Sequence, residues 1–345
     1  MAPLVRACAE RGLPFFLLHS GQHYSPSMDR VFFEDLELPQ PAHQLETGGL
    51  PYRLQVGAMI RDIRGILAAE KATVALVQGD TNTVLAGALA AAKLGVAIAH
   101  HEAGLRSHDL TMPEERNRIL TDHLADFLFA PTEAAQRNLL DEGLPPERIL
   151  VTGNTIVDAV RQNRALAERR DDLLERLGLQ AGCYFLATAH RQENVDSPAR
   201  LRGILEGLSR LAAAFPAAGV VFSLHPRTRA RLDQIDGTWL QGVRFIEPVG
   251  FLDFLLLESR ARLLVTDSGG VQEEASILRV PCVTVRDNTE RPETLEAGIN
   301  VLAGTDPERI VQAALSLLGR PLAWPDLYGD GHAAERIVEA LARHG

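Results

Sequence analysis

Short runs rich in β-branched and aromatic residues alternate along the chain with longer Leu-, Ala- and Arg-rich stretches of helical period. Most runs are apolar at consecutive positions, which is the pattern of strands buried on both faces. Strands that alternate with helices make right-handed crossovers and pair in parallel sheets. The pattern predicts eleven strands, at residues 14–19, 73–77, 96–100, 126–130, 148–152, 183–188, 219–224, 243–247, 262–266, 281–285 and 299–303.

Eleven strands are too many for one doubly wound unit of ordinary size, and 345 residues is the length of two domains. The predicted fold class is therefore α/β, with two Rossmann-like doubly wound domains. A charged helical segment at residues 155–180 is the predicted connection. We assign residues 1–160 to an N-terminal domain, 161–325 to a C-terminal domain and 326–345 to a C-terminal helix.

The chain opens with a helical pattern that ends at Gly12. A doubly wound unit normally opens with a strand and a Gly-rich turn ahead of that helix. The first N-terminal strand is thus missing from the predicted fold. Because such a strand lies in mid-sheet, we expect a form extended by about twenty residues to be more stable and more active.

Acidic residues outnumber basic ones by 45 to 35, for a formal net charge of −10. This charge argues against general electrostatic binding to nucleic acid or to an anionic membrane. An anionic substrate would need a local pocket of Arg, His and helix N-termini. The longest apolar run, residues 84–99, is interrupted by Lys93 and is too short to span a bilayer. With no signal-peptide pattern, the sequence predicts a cytoplasmic protein.

The three cysteines lie in apolar stretches without metal-ligand spacing and are predicted to be small buried residues in a reducing compartment. His100, His101 and Glu102 are adjacent in sequence. Neighbouring residues of a strand face opposite sides, however, and no HExxH pattern occurs. The sequence therefore predicts no metal site.

Ligands of an open α/β sheet bind outside the carboxyl ends of its strands, and polar residues cluster at those ends here. In the first half, the segments QGDTNT and HEAGLRS bring Asp80, Glu102 and Arg106 to one sheet edge. The helical segment PEERNR adds Glu114, Glu115, Asn117 and Arg118. An isolated Asp ahead of a helix is also typical of a cap, and the pattern alone favours this alternative for Asp80.

In the second half, the segment DSGG lies between a predicted strand and a helix. The backbone N–H groups of Ser268, Gly269 and Gly270 would form an anion site at the helix N-terminus, although a plain tight turn has the same pattern. The spacing is neither GxGxxG nor a Walker A loop, which argues against NAD and P-loop binding.

Charged residues around this turn are consistent with a nucleotide. One of Glu273 and Glu274 could accept two ribose hydroxyls, and both are equally explained as first-turn carboxylates that the helix dipole stabilises. Arg291 could neutralise a phosphate. His190 and Arg191 follow an apolar strand, where a phosphate-facing pair and a structural role are both open.

Together, the segments SGQHYSPSMD, VQGDTNT, HHEAGLRS, PEERNRILTDHLADFLFAPTE, VTGNTIVDA, AHRQEN, TDSGGVQEEA and RDNTERPE resemble the non-hydrolysing UDP-N-acetylglucosamine 2-epimerases over nearly the whole chain. The resemblance implies a glycosyltransferase-B arrangement, with a UDP-sugar in the cleft and the last helix packed on the N-terminal domain. It also implies a homodimer, no metal and no cofactor. The implied reaction interconverts UDP-N-acetylglucosamine and UDP-N-acetylmannosamine, by elimination of UDP to 2-acetamidoglucal and re-addition.

The resemblance also assigns roles by position. It places the catalytic carboxylates in the N-terminal domain, at Asp80, Glu102 and Glu114. It places UDP binding in the C-terminal domain, at His190, Phe254, Ser268, Gly269, Gly270, Glu274 and Arg291. Gln22, His23, Arg106 and Arg191 are further candidate contacts.

Two segments depart from the family. Relatives usually carry an N-terminal strand and a GTRPE-like loop that supplies an Arg and a Lys near the diphosphate. Where many bacterial relatives have a second Gln tied to allosteric activation by UDP-N-acetylglucosamine, this chain has Tyr24, Ser25 and Pro26. Both departures lie near the start of the N-terminal domain.

Three alternatives share parts of this pattern: a glycosyltransferase of the same architecture, a hydrolysing 2-epimerase and a non-catalytic UDP-sugar-binding protein. A glycosyltransferase would not explain three carboxylates around C2 of the sugar. The sequence does not specify the substituents at C3 and C6, and related epimerases act on diacetamido-uronate nucleotides.

Overall fold

The computed structural model describes residues 1–21, 33, 36–45, 52–170, 172–232, 240–321 and 323–343. Each of the eleven predicted runs overlaps a strand of this structure. The described strand pairs are parallel. A further strand, β2, was not predicted because it consists of two polar residues. The strands are β1 (Leu18–His19), β2 (His43–Gln44), β3 (Val74–Gln78), β4 (Ala97–His101), β5 (Phe127–Ala130), β6 (Ile149–Val151), β7 (Tyr184–Thr188), β8 (Gly219–Ser223), β9 (Val243–Ile246), β10 (Leu263–Thr266), β11 (Cys282–Thr284) and β12 (Asn300–Leu302).

Several helices begin at a side-chain cap followed by proline. Ser197 and Asp306 accept hydrogen bonds from backbone N–H groups of the first turn, with Pro198 and Pro307 as the first helical residues. The α-helices are Ala2–Glu10, Tyr52–Ala69, Asn82–Ala92, Pro113–Leu124, Glu133–Asp141, Thr155–Glu168, Asp172–Arg176, Gln192–Val195, Pro198–Ala214, Pro226–Leu232, Phe251–Arg260, Gly269–Leu278, Pro292–Glu296, Pro307–Leu318 and Ala333–Ala342, with a 3₁₀ turn at Pro146–Arg148.

The chain divides into two units. Unit 1 comprises Met1–Ala159 and Tyr328–Gly345, and unit 2 comprises Val160–Leu327. The division lies inside helix Thr155–Glu168. Among the described helices, none is long and apolar enough to cross a membrane.

Unit 1 contains a four-stranded sheet of order β3-β4-β5-β6 and a separate pair, β1-β2. Adjacent residues of β5 face opposite sides of the sheet. Leu128 belongs to one buried apolar cluster together with Met59, and Phe129 belongs to another together with Leu4 and Ile337. The second cluster joins the first and last helices of the chain, so helices cover both faces of the sheet.

Unit 2 contains a six-stranded parallel sheet of order β12-β11-β10-β7-β8-β9. Its core includes Phe185, Leu205, Val220, Phe222 and Ile310. The chain runs outward from β7 on one side and from β10 on the other, so the strand order reverses between these two neighbours. In doubly wound sheets, the carboxyl edge at such a reversal is where ligands bind.

The cysteines differ from the expectation of three buried residues. Cys282 is buried in β11, but Cys8 and Cys183 are only partly buried. The prediction is wrong for these two because each lies near the end of an element rather than in its middle. All three thiols are free.

Candidate active-site residues of the two units

The reversal point of unit 2 is organised by Asp267, which directly follows β10 and is fully buried. Its carboxylate accepts hydrogen bonds from the backbone N–H of His190 at 3.0 Å and from that of Arg191 at 3.0 Å. The side-chain amide of Asn194 donates a further hydrogen bond at 3.0 Å. Burial alone would raise the pKa of Asp267, but the hydrogen bonds from His190, Asn194 and Arg191 outweigh it and lower the pKa. An ionised carboxylate therefore holds the loop after β7.

The same carboxylate orients the ring of His190. Nδ1 of His190 lies 2.9 Å from Oδ1 of Asp267, and the side chain of His190 is 37% exposed. A carboxylate can only accept, so Nδ1 carries the donated proton and Nε2 is the remaining ring nitrogen. The predicted nucleotide contact at His190 thus has a fixed ring orientation.

Ser268 caps helix Gly269–Leu278. Its Oγ accepts a hydrogen bond from the backbone N–H of Val271 at 3.4 Å, and its own N–H donates to Oγ1 of Thr266 at 3.0 Å. The first N–H groups of a helix have no intrahelical acceptor. The N–H groups of Gly269 and Gly270 therefore lie at a helix N-terminus that favours an anion.

Arg291 lies beside this N-terminus. A Cβ on Gly269 would be 3.6 Å from the guanidinium of Arg291, so the cation lies in van der Waals contact with the start of the helix. Nε of Arg291 donates to Oε1 of Glu273 at 2.6 Å, and Arg291 is 6% exposed. Backbone donors and a buried cation thus meet at one place, which suits a phosphate.

A buried polar network holds Arg291 in place, and the sequence did not indicate it. Oγ1 of Thr289 accepts from the backbone N–H of Arg291 at 3.1 Å and donates to Oε1 of Gln272 at 2.6 Å. Nε2 of Gln272 donates to the carbonyl of Ser268 at 3.2 Å, and Asn300 donates to Oε1 of Gln272 at 3.0 Å. The network links the loop of Arg291 to the start of the helix.

A second unpredicted pair is Arg286 and Glu290. The two terminal nitrogens of Arg286, at 2.8 and 2.7 Å, donate to the two carboxylate oxygens of Glu290. Burial would raise the pKa of Glu290, but the hydrogen bonds and charge of Arg286 dominate and lower it to about 2. The charges of Arg291 and Arg191 act in the same direction. In the sequence, this pair could have been recognised only from the spacing of four positions between Arg286 and Glu290 in RDNTERPE.

The two glutamates of helix Gly269–Leu278 are distinguished by their partners. Glu273 is paired with Arg291, whereas Glu274 lies against the buried Glu258. Glu274 therefore remains as the predicted contact to ribose. Phe254 is partly buried and precedes Glu258 by four residues on helix Phe251–Arg260, so the two share a helix face.

In unit 1, the ends of β3 and β4 place Asp80 and Glu102 at one sheet edge. Nε2 of Gln78 donates to Oε1 of Glu102 at 2.7 Å. Glu102 has a φ of 69°, in the left-handed region that a non-glycine residue rarely adopts. Such backbone strain is concentrated at functional sites.

The carboxylate of Asp80 forms an ion pair with Arg118. The alternative that Asp80 caps the next helix is wrong, because Thr81 occupies the N-cap position of helix Asn82–Ala92. Nδ2 of Asn117 also donates to the carbonyl of Asp80 at 3.0 Å. Residues three and four apart share a helix face, so Glu114 lies on the face that Asn117 and Arg118 present to Asp80.

Arg106 and the two neighbouring histidines of β4, His100 and His101, are held by other side chains of unit 1. Arg106 is 4% exposed, and it binds Asp122 at 2.7 Å and both carboxylate oxygens of Glu142. These buried ion pairs favour a role of Arg106 in stabilising the fold over the predicted contact with a ligand. His100 binds Asp122 at 2.6 Å and His101 binds Thr155 at 2.8 Å, so the two rings have different surroundings. In the described part of the chain, no cluster of His, Cys, Asp and Glu could hold a metal ion.

Two further observations complete the comparison with the sequence predictions. Gln22 and His23 lie outside the described residues. Glu115, which the segment PEERNR offered beside Glu114, is 2% exposed and accepts hydrogen bonds from the backbone N–H groups of Ser107 at 3.0 Å and His108 at 2.9 Å. It fixes the loop between β4 and the helix that carries Glu114.

The fold and these groups define a class: an α/β protein of two units built on parallel sheets. Unit 2 has a helix N-terminus beside a buried Arg, and unit 1 has carboxylates near strand ends. The family model for UDP-N-acetylglucosamine 2-epimerase matches residues 6–342. A UDP-N-acetylglucosamine 2-epimerase of Methanocaldococcus jannaschii is 47% identical over 99% of this chain and 94% of the relative. A UDP-2,3-diacetamido-2,3-dideoxy-D-glucuronate 2-epimerase of Pseudomonas aeruginosa is 43% identical over 97% of this chain and 93% of the relative. The chain belongs to the UDP-N-acetylglucosamine 2-epimerase family.

Solved structures agree with this assignment. The crystal structure of the M. jannaschii UDP-GlcNAc 2-epimerase with UDP-GlcNAc and UDP has a TM-score of 0.93 at 47% identity, covering 99% of this chain and 95% of that one. The Neisseria meningitidis UDP-GlcNAc 2-epimerase bound to UDP-GlcNAc has a TM-score of 0.91 at 30% identity, with coverages of 99% and 96%. A UDP-forming trehalose-phosphate synthase, at 13% identity and a TM-score of 0.53, is similar in fold alone. The predicted α/β class and the family resemblance are confirmed.

Proposed function

We propose that this chain catalyses the reversible C2 epimerisation of UDP-N-acetylglucosamine to UDP-N-acetylmannosamine, without hydrolysis. The observation that carries the proposal is the anion site of unit 2, where Arg291 lies beside the N-terminus of helix Gly269–Leu278. A diphosphate placed there would accept hydrogen bonds from Gly269 and Gly270 and pair with the guanidinium. The substrates named for the relatives in the M. jannaschii and N. meningitidis structures support UDP as the nucleotide.

The remaining nucleotide contacts follow from this placement. Glu274 would accept hydrogen bonds from the ribose hydroxyls, and His190 would face the phosphates through Nε2. Phe254 would line the pocket. These three side chains come from different elements of unit 2, and each has its position set by a buried partner or by the helix that carries it.

The proposed chemistry is elimination followed by addition. A carboxylate of unit 1 removes the C2 proton of the sugar while the bond between C1 and the UDP oxygen breaks, which forms the C1=C2 double bond of 2-acetamidoglucal. A carboxylic acid then returns a proton to the opposite face of C2, and the UDP oxygen adds to C1. Proton transfer on two faces requires more than one carboxyl group. Asp80, Glu102 and Glu114 are the proposed catalytic residues.

The proposed role of unit 2 in the reaction is to stabilise UDP as the leaving group. Negative charge develops on the diphosphate as the C1–O bond breaks, and Arg291 together with the helix N-terminus would stabilise it. The net reaction inverts one stereocentre without changing the oxidation state of the sugar. It therefore needs no nicotinamide cofactor.

We further propose a cytoplasmic homodimer, as the family resemblance implies. Sedimentation analysis tests the oligomeric state. A monomer at micromolar concentration would contradict the proposed homodimer.

The experiment that tests the function is proton NMR of the chain with UDP-N-acetylglucosamine in D₂O. We expect UDP-N-acetylmannosamine to appear, with deuterium at C2 of both sugars. Free N-acetylmannosamine and UDP would identify the hydrolysing class instead. The 43% identity to a diacetamido-uronate epimerase makes UDP-2,3-diacetamido-2,3-dideoxy-D-glucuronate the second substrate to test. Turnover of that substrate alone would replace the proposed sugar and leave the reaction type unchanged.

A further inference from the structure

Glu258 is a fully buried carboxyl group that the proposed reaction does not use. No N–H or O–H group of the described residues donates a hydrogen bond to either of its oxygens. A buried ionised carboxylate without donors is strongly unfavourable, so the group must be neutral or share a proton. The structure places one acceptor for such a proton beside it.

That acceptor is the carboxyl group of Glu274 on helix Gly269–Leu278, which packs against the helix of Glu258. The two carboxyls are close enough for each to shift the pKa of the other. Other titratable groups near this pair are Tyr184 of β7, Cys282 of β11 and Glu273, which precedes Glu274 on its helix. The hydroxyl of Tyr184 donates to the carbonyl of Leu257 at 2.5 Å, so it is not a donor to Glu258. Burial raises the pKa of Cys282 to about 12, so that thiol stays neutral.

Two buried carboxyls in contact cannot both ionise at neutral pH. Burial raises the pKa of Glu258 well above its usual range, and the carboxyl of Glu274 raises it further. Burial also raises the pKa of Glu274 to about 7, although the hydrogen bond from Glu258 lowers it in part. Glu258 is therefore the proton donor of the pair, and Glu274 is the group that ionises first.

We propose that Glu258 is a positioning residue: its protonated carboxyl donates a hydrogen bond to Glu274 and fixes the carboxylate that receives the ribose hydroxyls. This inference rests on the proposed function. One oxygen of Glu274 is engaged by Glu258, and the ionised carboxylate keeps the acceptor capacity that two vicinal hydroxyls require. Loss of the shared proton would place two negative charges together and displace Glu274.

The first test is nucleotide affinity as a function of pH, measured by calorimetry for the wild type, Glu258→Gln and Glu258→Leu. The Gln amide can still donate to Glu274, so we expect affinity for UDP within about threefold of the wild type at pH 7. Leu cannot donate, and we expect a loss of about tenfold, the size of one hydrogen bond to a charged group. From pH 6 to 8 the wild type and Glu258→Gln should gain affinity as Glu274 ionises. In Glu258→Leu the gain should occur at higher pH, because no donor stabilises the ionised carboxylate of Glu274.

The matched ligand control is 2′,3′-dideoxyuridine diphosphate. Its phosphates titrate like those of UDP, but it has no ribose hydroxyls to bind Glu274. We expect the three proteins to bind it equally at each pH. If the wild type and both variants show the same pH dependence with UDP, or if the dideoxy nucleotide separates them as UDP does, Glu258 does not act through Glu274 and the inference is wrong.

A second measurement separates this inference from the proposed function. A carboxyl whose folded pKa is raised holds a proton that the unfolded chain releases, so stability is lost as pH rises from about 4.5 to about 7. We expect the melting temperature of the wild type to fall more over this range than that of Glu258→Gln. Parallel curves would contradict the shared proton even if UDP binds. A wild type that shows the steeper curve but does not bind UDP would contradict the proposed function, and with it the role of Glu258 in ribose binding.

Discussion

The carboxylates at the candidate sites of the two units differ in their surroundings. In unit 2, the side chain of Asp267 is 0% exposed and accepts hydrogen bonds from three residues, and Glu290 accepts from two nitrogens of Arg286. In unit 1, the side chain of Asp80 is 28% exposed and Glu114 is partly buried. Buried, fully paired carboxylates fix loops. Accessible ones remain able to exchange protons with a substrate, which agrees with the separate roles proposed for the two units.

The largest expected effect comes from removing the accessible carboxylates. Asp80→Asn, Glu102→Gln and Glu114→Gln should each lower kcat by about 10²–10⁴-fold, the usual contribution of a positioned acid or base. UDP affinity should change little, because the proposed nucleotide contacts lie in unit 2. Steady-state kinetics and calorimetry measure the two effects separately. The exposed Glu147→Gln is the control. A variant that keeps more than half of the activity would remove its residue from the catalytic set.

A smaller effect is expected at Arg291. Arg291→Met alone would leave the buried Glu273 unpaired, so we pair it with Glu273→Gln in one chain. Loss of the guanidinium should weaken UDP binding about 10- to 100-fold, since hydrogen bonds to charged groups contribute about 1.5–3 kcal/mol. Arg291→Lys should recover only part of this loss because it cannot make two parallel hydrogen bonds. Titration calorimetry measures both, with the exposed Arg309→Met as control. Unchanged affinity in the double variant would contradict the proposed anion site.

The smallest effect is a pH dependence of stability. The pKa of Glu290 is lowered to about 2 in the folded chain, so its contribution is present above pH 4.5 and is lost as pH falls. Between pH 6 and pH 4 the wild type should lose about 1 kcal/mol of unfolding free energy through this group. Glu290→Gln should not show this part of the loss. Denaturant unfolding at the two pH values tests it, with the exposed Glu296→Gln as control. Equal losses in wild type and Glu290→Gln would mean that Arg286 does not hold an ionised Glu290.

Apolar runs were sufficient to predict the strands, because a strand buried on both faces must be apolar along its length. They could not reveal β2, whose two residues have no apolar pattern and pair only with β1. The positions of Asp80 and Glu102 followed from the rule that ligands bind at strand ends. The cap alternative for Asp80 failed because its true partner, Arg118, lies 38 positions later in the sequence.

The residues that sequence reasoning missed share one property: their importance lies in a contact between distant segments. Glu258 is a charged residue in an apolar helix, and nothing in that helix indicates that Glu274 faces it. Gln272 and Asn300 are ordinary polar residues in isolation, yet together they hold the loop of Arg291. Spacing identified candidate chemistry, whereas burial and pairing required the fold.

The strand order of unit 2 has a consequence for folding. His190 and Asp267 are neighbours in space but 77 positions apart in the chain. The segment between them contains β8 and β9, which lie on one side of β7, so the chain must return across the sheet before β10 can pair with the other side of β7. Contacts of such high sequence separation carry a large loop-closure entropy and form late. The proposed nucleotide pocket is therefore expected to be absent from partly folded intermediates, so UDP affinity would report the completed folding of this unit.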